Sequence, residues 1–82
     1  MEIMLDVIAL ELLGGFRLLL TFENGERRIF DLEPLLASKP FERLRDPHLF
    51  GRAAIDYGTV VWPGNIDIAP ETLYLESRAM TD

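Results

Sequence analysis

Alternation of apolar and polar positions dominates the first third of the chain. In "FRLLLTF", Phe16, Leu18, Leu20 and Phe22 fall on one side of an extended segment and Arg17, Leu19 and Thr21 on the other, because successive strand side chains point to opposite faces. Leu19 among the polar set predicts partial cover of the second face as well. Upstream, "IMLDVIAL" is rich in branched residues and ends near Gly14-Gly15, a turn signal, and reads as a first strand. Downstream, "FENGERRIF" carries Asn24-Gly25, the residues of a two-residue type I′ hairpin turn with positive φ at both central positions. That loop pairs Glu23 with Glu26, Phe22 with Arg27, Thr21 with Arg28 and Leu20 with Ile29, and leaves Arg28 diagonal to Glu23 to relieve the two facing carboxylates. Three antiparallel strands in a meander follow.

After "IFDL" the alternation stops. "EPLLASKPFERLRDPHLFGRA" contains Pro34, Pro40 and Pro47, each suited to the first turn of a short helical piece. Asp46 before Pro47 is a good N-cap, and Gly51 closes that turn. Leu35, Leu36, Phe41, Leu44, Leu49 and Phe50 then form a lid over one face of the sheet. Strand character returns in "AAIDYGTVVW", with Tyr57-Gly58 as the turn of a second, shorter hairpin. Pro63 ends that strand, Gly64-Asn65 reverse the chain, "IDI" makes one extended step, and Pro70 with Glu71 open a short helix through Leu73, Tyr74 and Leu75. Glu71 suits a helix N-terminus, and "RAMTD" reads as a frayed end.

The fold class expected is α+β: an antiparallel β-meander plus a second short hairpin, covered on one face by short proline-started helices, with a short C-terminal helix. The strands are expected in one five-stranded open sheet with an exposed edge. Residues 1–77 form a single domain and 78–82 a frayed C-terminal tail. With 82 residues there is room for one thin core, to which a partner or a second copy would add stability. Pairing of exposed edges between two copies makes a homodimer the expected oligomer.

Composition narrows the chemistry. Zero cysteines remove disulfides, thiolate nucleophiles and cysteine-held metals and fit a reducing, cytoplasmic setting. The apolar start is interrupted by Glu2, Asp6, Glu11 and Arg17 and has no basic n-region, so neither a signal peptide nor a membrane span is expected. A net charge of -6 disfavours binding to a phosphate backbone and favours a protein partner. The glycines never fall into a phosphate-binding pattern, and no cofactor is expected.

The segments "LTFENGERRIFDLEPLL", "FERLRDPHLF" and "GTVVWPGNIDIAPETLY", in this order, resemble the small bacterial family catalogued as domain of unknown function 2442, from about Val7 to Tyr74. The resemblance implies an α+β domain similar to the amino-terminal domain of a bacterial protein that, in some members, carries a helix-turn-helix downstream. Members are often encoded beside another small protein, which implies a partner-binding role of toxin–antitoxin-like or regulatory kind. This chain departs from the family pattern in having Pro63-Gly64-Asn65 where Pro-Asn-Gly is usual, and Glu33 where a small capping residue precedes Pro34.

Trial of the reactive residues leaves no enzyme. The hydroxyls Ser38, Ser77, Thr21, Thr59, Thr72 and Thr81 have one histidine, His48, to activate any of them, and no local motif joins the two. Asp67 and Glu71 stand four apart across a proline, and with Asp56 or His48 are candidates for a hard cation, but without calcium-loop spacing. The reading favoured here is that Asp67 caps the Pro70 turn and Glu71 faces the helix dipole. Trp62 is either a core anchor with its indole N–H on a backbone partner or an interface hot spot beside Tyr74, and the core role is preferred. Trp62, Asp67, Glu71 and Tyr74 are thus the candidate interaction or structural hot spots. The primary expectation is a non-enzymatic protein-interaction domain. The alternative is a nucleic-acid-associated regulator acting through Arg27, Arg28, Arg43, Arg45 and Arg52.

Overall fold

Strands β1 (Val7–Leu13), β2 (Arg17–Phe22) and β3 (Arg27–Asp31) form the expected antiparallel meander. The structure, a computed structural model, describes residues 5–80. Ile3 and Met4 of the expected first strand, and Thr81 and Asp82 of the tail, lie outside the described residues. Leu18, Leu20, Phe22 and Phe30 are buried, as the alternation requires. Leu19, on the opposite face, is only 7% exposed, which agrees with a second face that is partly covered.

The β2–β3 register differs from expectation by one residue. Leu20 lies opposite Arg28, Leu19 opposite Ile29 and Leu18 opposite Phe30. The turn has three residues between Phe22 and Glu26: the Gly25 N–H donates to the Phe22 carbonyl at 2.8 Å and the Phe22 N–H to the Glu26 carbonyl at 2.9 Å. Of Asn24 and Gly25 only the glycine has positive φ, +89°, so this is a three-residue loop closed by a left-handed glycine rather than a type I′ turn. The cause is burial. A one-residue slip exchanges the two faces of a strand, and this register sends the larger Phe30 into the core and leaves Ile29 half-buried behind Leu19. The expected type I′ geometry occurs in the second hairpin, where Tyr57 (φ 54°) and Gly58 (φ 74°) join β4 (Ala54–Asp56) to β5 (Thr59–Trp62) with Asp56 opposite Thr59.

Strand β6 (Ile66–Ile68) pairs with β5, and Gly64 and Asn65 between them both have positive φ. These three strands make a separate sheet, so the single five-stranded sheet does not form. The second hairpin packs across the beginning of β1, where the Val7 N–H donates to the Gly58 carbonyl at 2.8 Å. From there Val60, Trp62, Ile66 and Ile68 turn into the same core as the meander.

Between the sheets lie 3-10 turns at Glu33–Ala37 and Phe41–Arg45 and the short helix α1 (Pro47–Phe50). They bury Leu36, Leu44 and Phe50, with Leu35, Phe41 and Leu49 packed against them, which is the expected lid. Asp46 caps α1 by accepting the His48 N–H at 2.9 Å. The turn at Pro34 has no side-chain cap at its own N-cap, Leu32. Instead Asp31 Oδ1 accepts the Glu33 N–H at 3.0 Å and takes over the missing role.

Helix α2 (Pro70–Leu75) starts where expected, but its N-cap is Ala69, with no side-chain cap. Asp67 does not cap it. The residue is held in β6 opposite Val61 with its side chain exposed, because extending the ladder to Ile68 places two extended residues between Asp67 and the helix. The tail expected to fray at residue 78 instead forms β7 (Arg78–Ala79), paired with Ile29 and Arg28, and the Met80 N–H donates to the Arg27 carbonyl at 2.8 Å. The open side of β3 supplies the hydrogen bonds that hold it. The meander sheet thus runs β1-β2-β3-β7. Among the described residues, no helix is long and apolar enough to cross a membrane.

Candidate functional site

The four sequence-predicted hot spots do not assemble into one site. Trp62 is 3% exposed; its indole N–H donates to the Phe50 carbonyl at 3.0 Å and its ring stacks on Phe50 with centroids 6.4 Å apart. Phe16 also meets Phe50, edge-on at 5.2 Å. Trp62 is therefore a core anchor, and with Asp67 it lines an open cleft on the second sheet. Tyr74 packs against the same core at another point, edge-on to Phe22 at 5.2 Å. Asp67 and Glu71 are exposed on β6 and on the first turn of α2.

Catalytic groupings fare no better. Thr59 donates its hydroxyl to the Ile68 carbonyl, and Ser77 donates to the Tyr74 carbonyl, so both act as backbone ties. His48 is exposed on α1. Among the described residues no three of His, Asp and Glu converge so as to hold a metal ion. An open cleft of about 390 Å³ lies on the second sheet between Asp56, Tyr57 and Asp67, and another of about 560 Å³ lies between Phe16, Glu33 and Arg45. Both face solvent.

A polar clasp between the hairpin and α2 has no counterpart in the sequence reading. Arg28 stands opposite Leu20 on the core-facing side of β3, where a guanidinium needs partners. It donates to Ser77 Oγ at 2.7 Å and to the Ser77 carbonyl at 2.8 Å, lies over the Tyr74 ring at 4.5 Å and reaches Glu26 Oε1 at 3.6 Å. Tyr74 donates its hydroxyl to Glu26 Oε2 at 2.5 Å, and Asn24 Nδ2 donates to the same oxygen at 2.8 Å. The tyrosine hydrogen bond, then that of Asn24, holds the Glu26 carboxyl below its ordinary value. The same bond to Glu26, with burial second, holds the Tyr74 hydroxyl above its ordinary value. The arrangement fastens the C-terminal segment to the sheet, and its one readable signal was an arginine inside an apolar face.

The arginines of the alternative reading are dispersed. Arg28 is committed to the clasp, Arg45 Nε donates to the Leu36 carbonyl at 3.1 Å, and Arg43 lies against Gly64. Arg27 pairs with Thr21 on the outer face of the meander, on the opposite side from the lid that carries Arg43, Arg45 and Arg52.

What remains open is a strand edge. β1 is terminal in its sheet, and its apolar sequence VIALELL contains one charge, Glu11. Ile8, at a bulge, is 59% exposed and Leu12 is 38% exposed. Beyond its pairing with β2, and among the described residues, the bond from the Val7 N–H to the Gly58 carbonyl ties the start of this strand to the second hairpin.

Comparison with known proteins returns a family model described as Protein of unknown function (DUF2442), matching residues 7–79. No curated protein and no solved structure matches the chain.

Proposed function

Starting from the fact that the chain belongs to the family described as Protein of unknown function (DUF2442), we propose that it is a non-enzymatic protein-interaction domain whose contact surface is the free edge of β1. The observation that carries this reading is that edge itself beyond Val7, whose N–H is held by Gly58: one charge, Glu11, and two exposed apolar side chains, Ile8 and Leu12. An open strand offers a row of unpaired backbone donors and acceptors, and a polypeptide that adds a strand satisfies them. The partner class is accordingly another protein, in a reducing compartment such as the cytoplasm. By family resemblance, the natural candidate is the product of an adjacent gene, in a toxin–antitoxin-like or regulatory pair.

Further support comes from charge. A chain of net charge -6 with dispersed arginines attracts no phosphate backbone, whereas a strand edge with one carboxylate accepts an apolar strand. The test is co-expression of the tagged chain with the product of the neighbouring gene. Co-purification that is lost in Ile8→Lys is the expected result. Separate elution, or retention unaffected by that variant, overturns the reading.

A further inference from the structure

We infer that the outward face of the second sheet, with Tyr57 at its tip, is a docking surface for a basic segment of a partner polypeptide, and that it takes an arginine side chain. This surface is distinct from the β1 edge and does not depend on it. Among the described residues, Phe16 (61°), Tyr57 (54°) and Asn65 (62°) have positive φ without being glycine. Asparagine tolerates this region, whereas an aromatic residue there is strained. Phe16 offsets its strain by packing edge-on to Phe50 at 5.2 Å. Tyr57 has no such compensation: it is 93% exposed, at the first position of a type I′ turn that favours Asn, Asp or Gly. Its backbone is strained to hold a large ring in water, and outliers of this kind are kept where a site uses them. The Gly58 carbonyl, bound to the Val7 N–H at 2.8 Å, fixes the turn that presents the ring, and a fixed, exposed tyrosine is a common anchor of protein interfaces.

Beside this ring the sheet offers a cleft of suitable shape. Val60, Trp62, Ile66 and Ile68 face the core, so alternation turns Val61 and Asp67 outward. Val61 lies opposite Asp67 on one side and Ala54 on the other, and Asp56 stands two residues along β4 on the same face, opposite Thr59. The cleft of about 390 Å³ between Asp56, Tyr57 and Asp67 has the half-buried Val61 between its walls and reaches Pro63 at the end away from the tyrosine.

Charge selects the occupant. Among the described residues no lysine or arginine lines the cleft, and neither Asp56 nor Asp67 is in an ion pair. The Arg43 guanidinium lies against Gly64, at the Pro63 end. An apolar floor, an aromatic ring and two carboxylates match the parts of an arginine: its methylenes lie on Val61, and its planar guanidinium stacks on Tyr57 and donates to the aspartates. The net charge of -6 draws a basic segment toward the chain, and it repels both a phosphate backbone and a second copy.

Titration of the intact chain followed by amide NMR shifts tests this, with a capped pentapeptide of alternating glycine and arginine as the probe and spermine as a small polyamine for comparison. The expected result is saturable binding of the peptide with shifts centred on Asp56, Tyr57, Val61 and Asp67, weakened by salt, and weaker binding of spermine. Tyr57→Asn weakens the peptide by about threefold while its Tm equals or exceeds the parent's, because asparagine suits the turn. Asp56→Asn with Asp67→Asn weakens it by about fivefold. Shifts spread equally over distant acids such as Glu33 and Glu42, spermine binding as tightly as the peptide, or peptide affinity unchanged in Tyr57→Asn overturns the inference. So does a lower Tm in Tyr57→Asn, which would mean that the ring packs within the chain, and so do shifts at the cleft produced by protein concentration alone, which would seat a second copy there. The co-expression test through Ile8 reads the β1 edge and is unaffected by these outcomes.

Discussion

Replacing Trp62 by phenylalanine separates a core anchor from a surface hot spot. The indole is almost wholly buried and donates to the Phe50 carbonyl at 3.0 Å. Its removal costs about 1 kcal/mol for the hydrogen bond, softened because that carbonyl also accepts the Ala53 N–H at 3.2 Å. Loss of the second ring and the void it leaves against Phe50 adds about 1–2 kcal/mol. The sum, about 2–3 kcal/mol, is a large share of the roughly 4–12 kcal/mol expected for a domain of this length. It lowers Tm by roughly 10–20 °C. Because Trp62 is the only tryptophan, unfolding is followed by far-UV circular dichroism in urea rather than by fluorescence. A midpoint within about 0.5 kcal/mol of the parent would mean that the indole is not packed as described, and would return Trp62 to the surface.

Three other substitutions probe local features. Gly58→Ala meets both a φ of +74° and the Asp6 carboxyl, 2.5 Å from the position of the new Cβ; it costs more than the roughly 1–2 kcal/mol of the backbone alone, and thermal melts in an Asp6→Ala background recover the excess. Asp67→Ala, on an exposed strand position, changes stability by less than about 0.5 kcal/mol, whereas a loss of a helix cap would reach about 1 kcal/mol. Tyr74→Phe flattens both ends of the stability–pH profile. Glu26, held below its ordinary value, stabilises the fold above the unfolded carboxyl value of about 4.5, and this contribution fades as pH falls through the folded value. Tyr74, held above its ordinary value, contributes fully below about pH 10 and loses that contribution as pH rises further. Chemical denaturation at several pH values reads both arms, and identical profiles for parent and variant would contradict the clasp.

Local patterns were legible wherever burial and periodicity agreed. Leu18, Leu20 and Phe22 could be placed inside from alternation alone, and the proline-started lid followed from residues whose backbone preferences leave few options. The Asn24-Gly25 turn shows the limit: a left-handed glycine serves both a two-residue and a three-residue loop, and the choice was made by Phe30 entering a core assembled from distant segments. Asp67 failed as a cap for a similar reason, since the β5–β6 ladder fixes how far the strand runs before α2. The clasp joins Glu26 and Arg28 to Tyr74 and Ser77 across almost fifty residues, beyond the reach of any local pattern. β7 formed because the far side of β3 was open, a property of the assembled sheet. The candidate hot spots were chosen for residue type, and type alone did not distinguish the buried Trp62 from an accessible one.

The proposed use of β1 is tested most directly by affinity capture from the native cell lysate, with the parent chain and the Ile8→Lys, Leu12→Lys double variant as baits and with bound polypeptides and nucleic acid both identified. The expected result is a polypeptide in fixed stoichiometry on the parent bait, its loss from the double variant, and no nucleic acid on either. Nucleic acid held by both baits, or the same polypeptide held equally by both, would contradict an interaction through this strand.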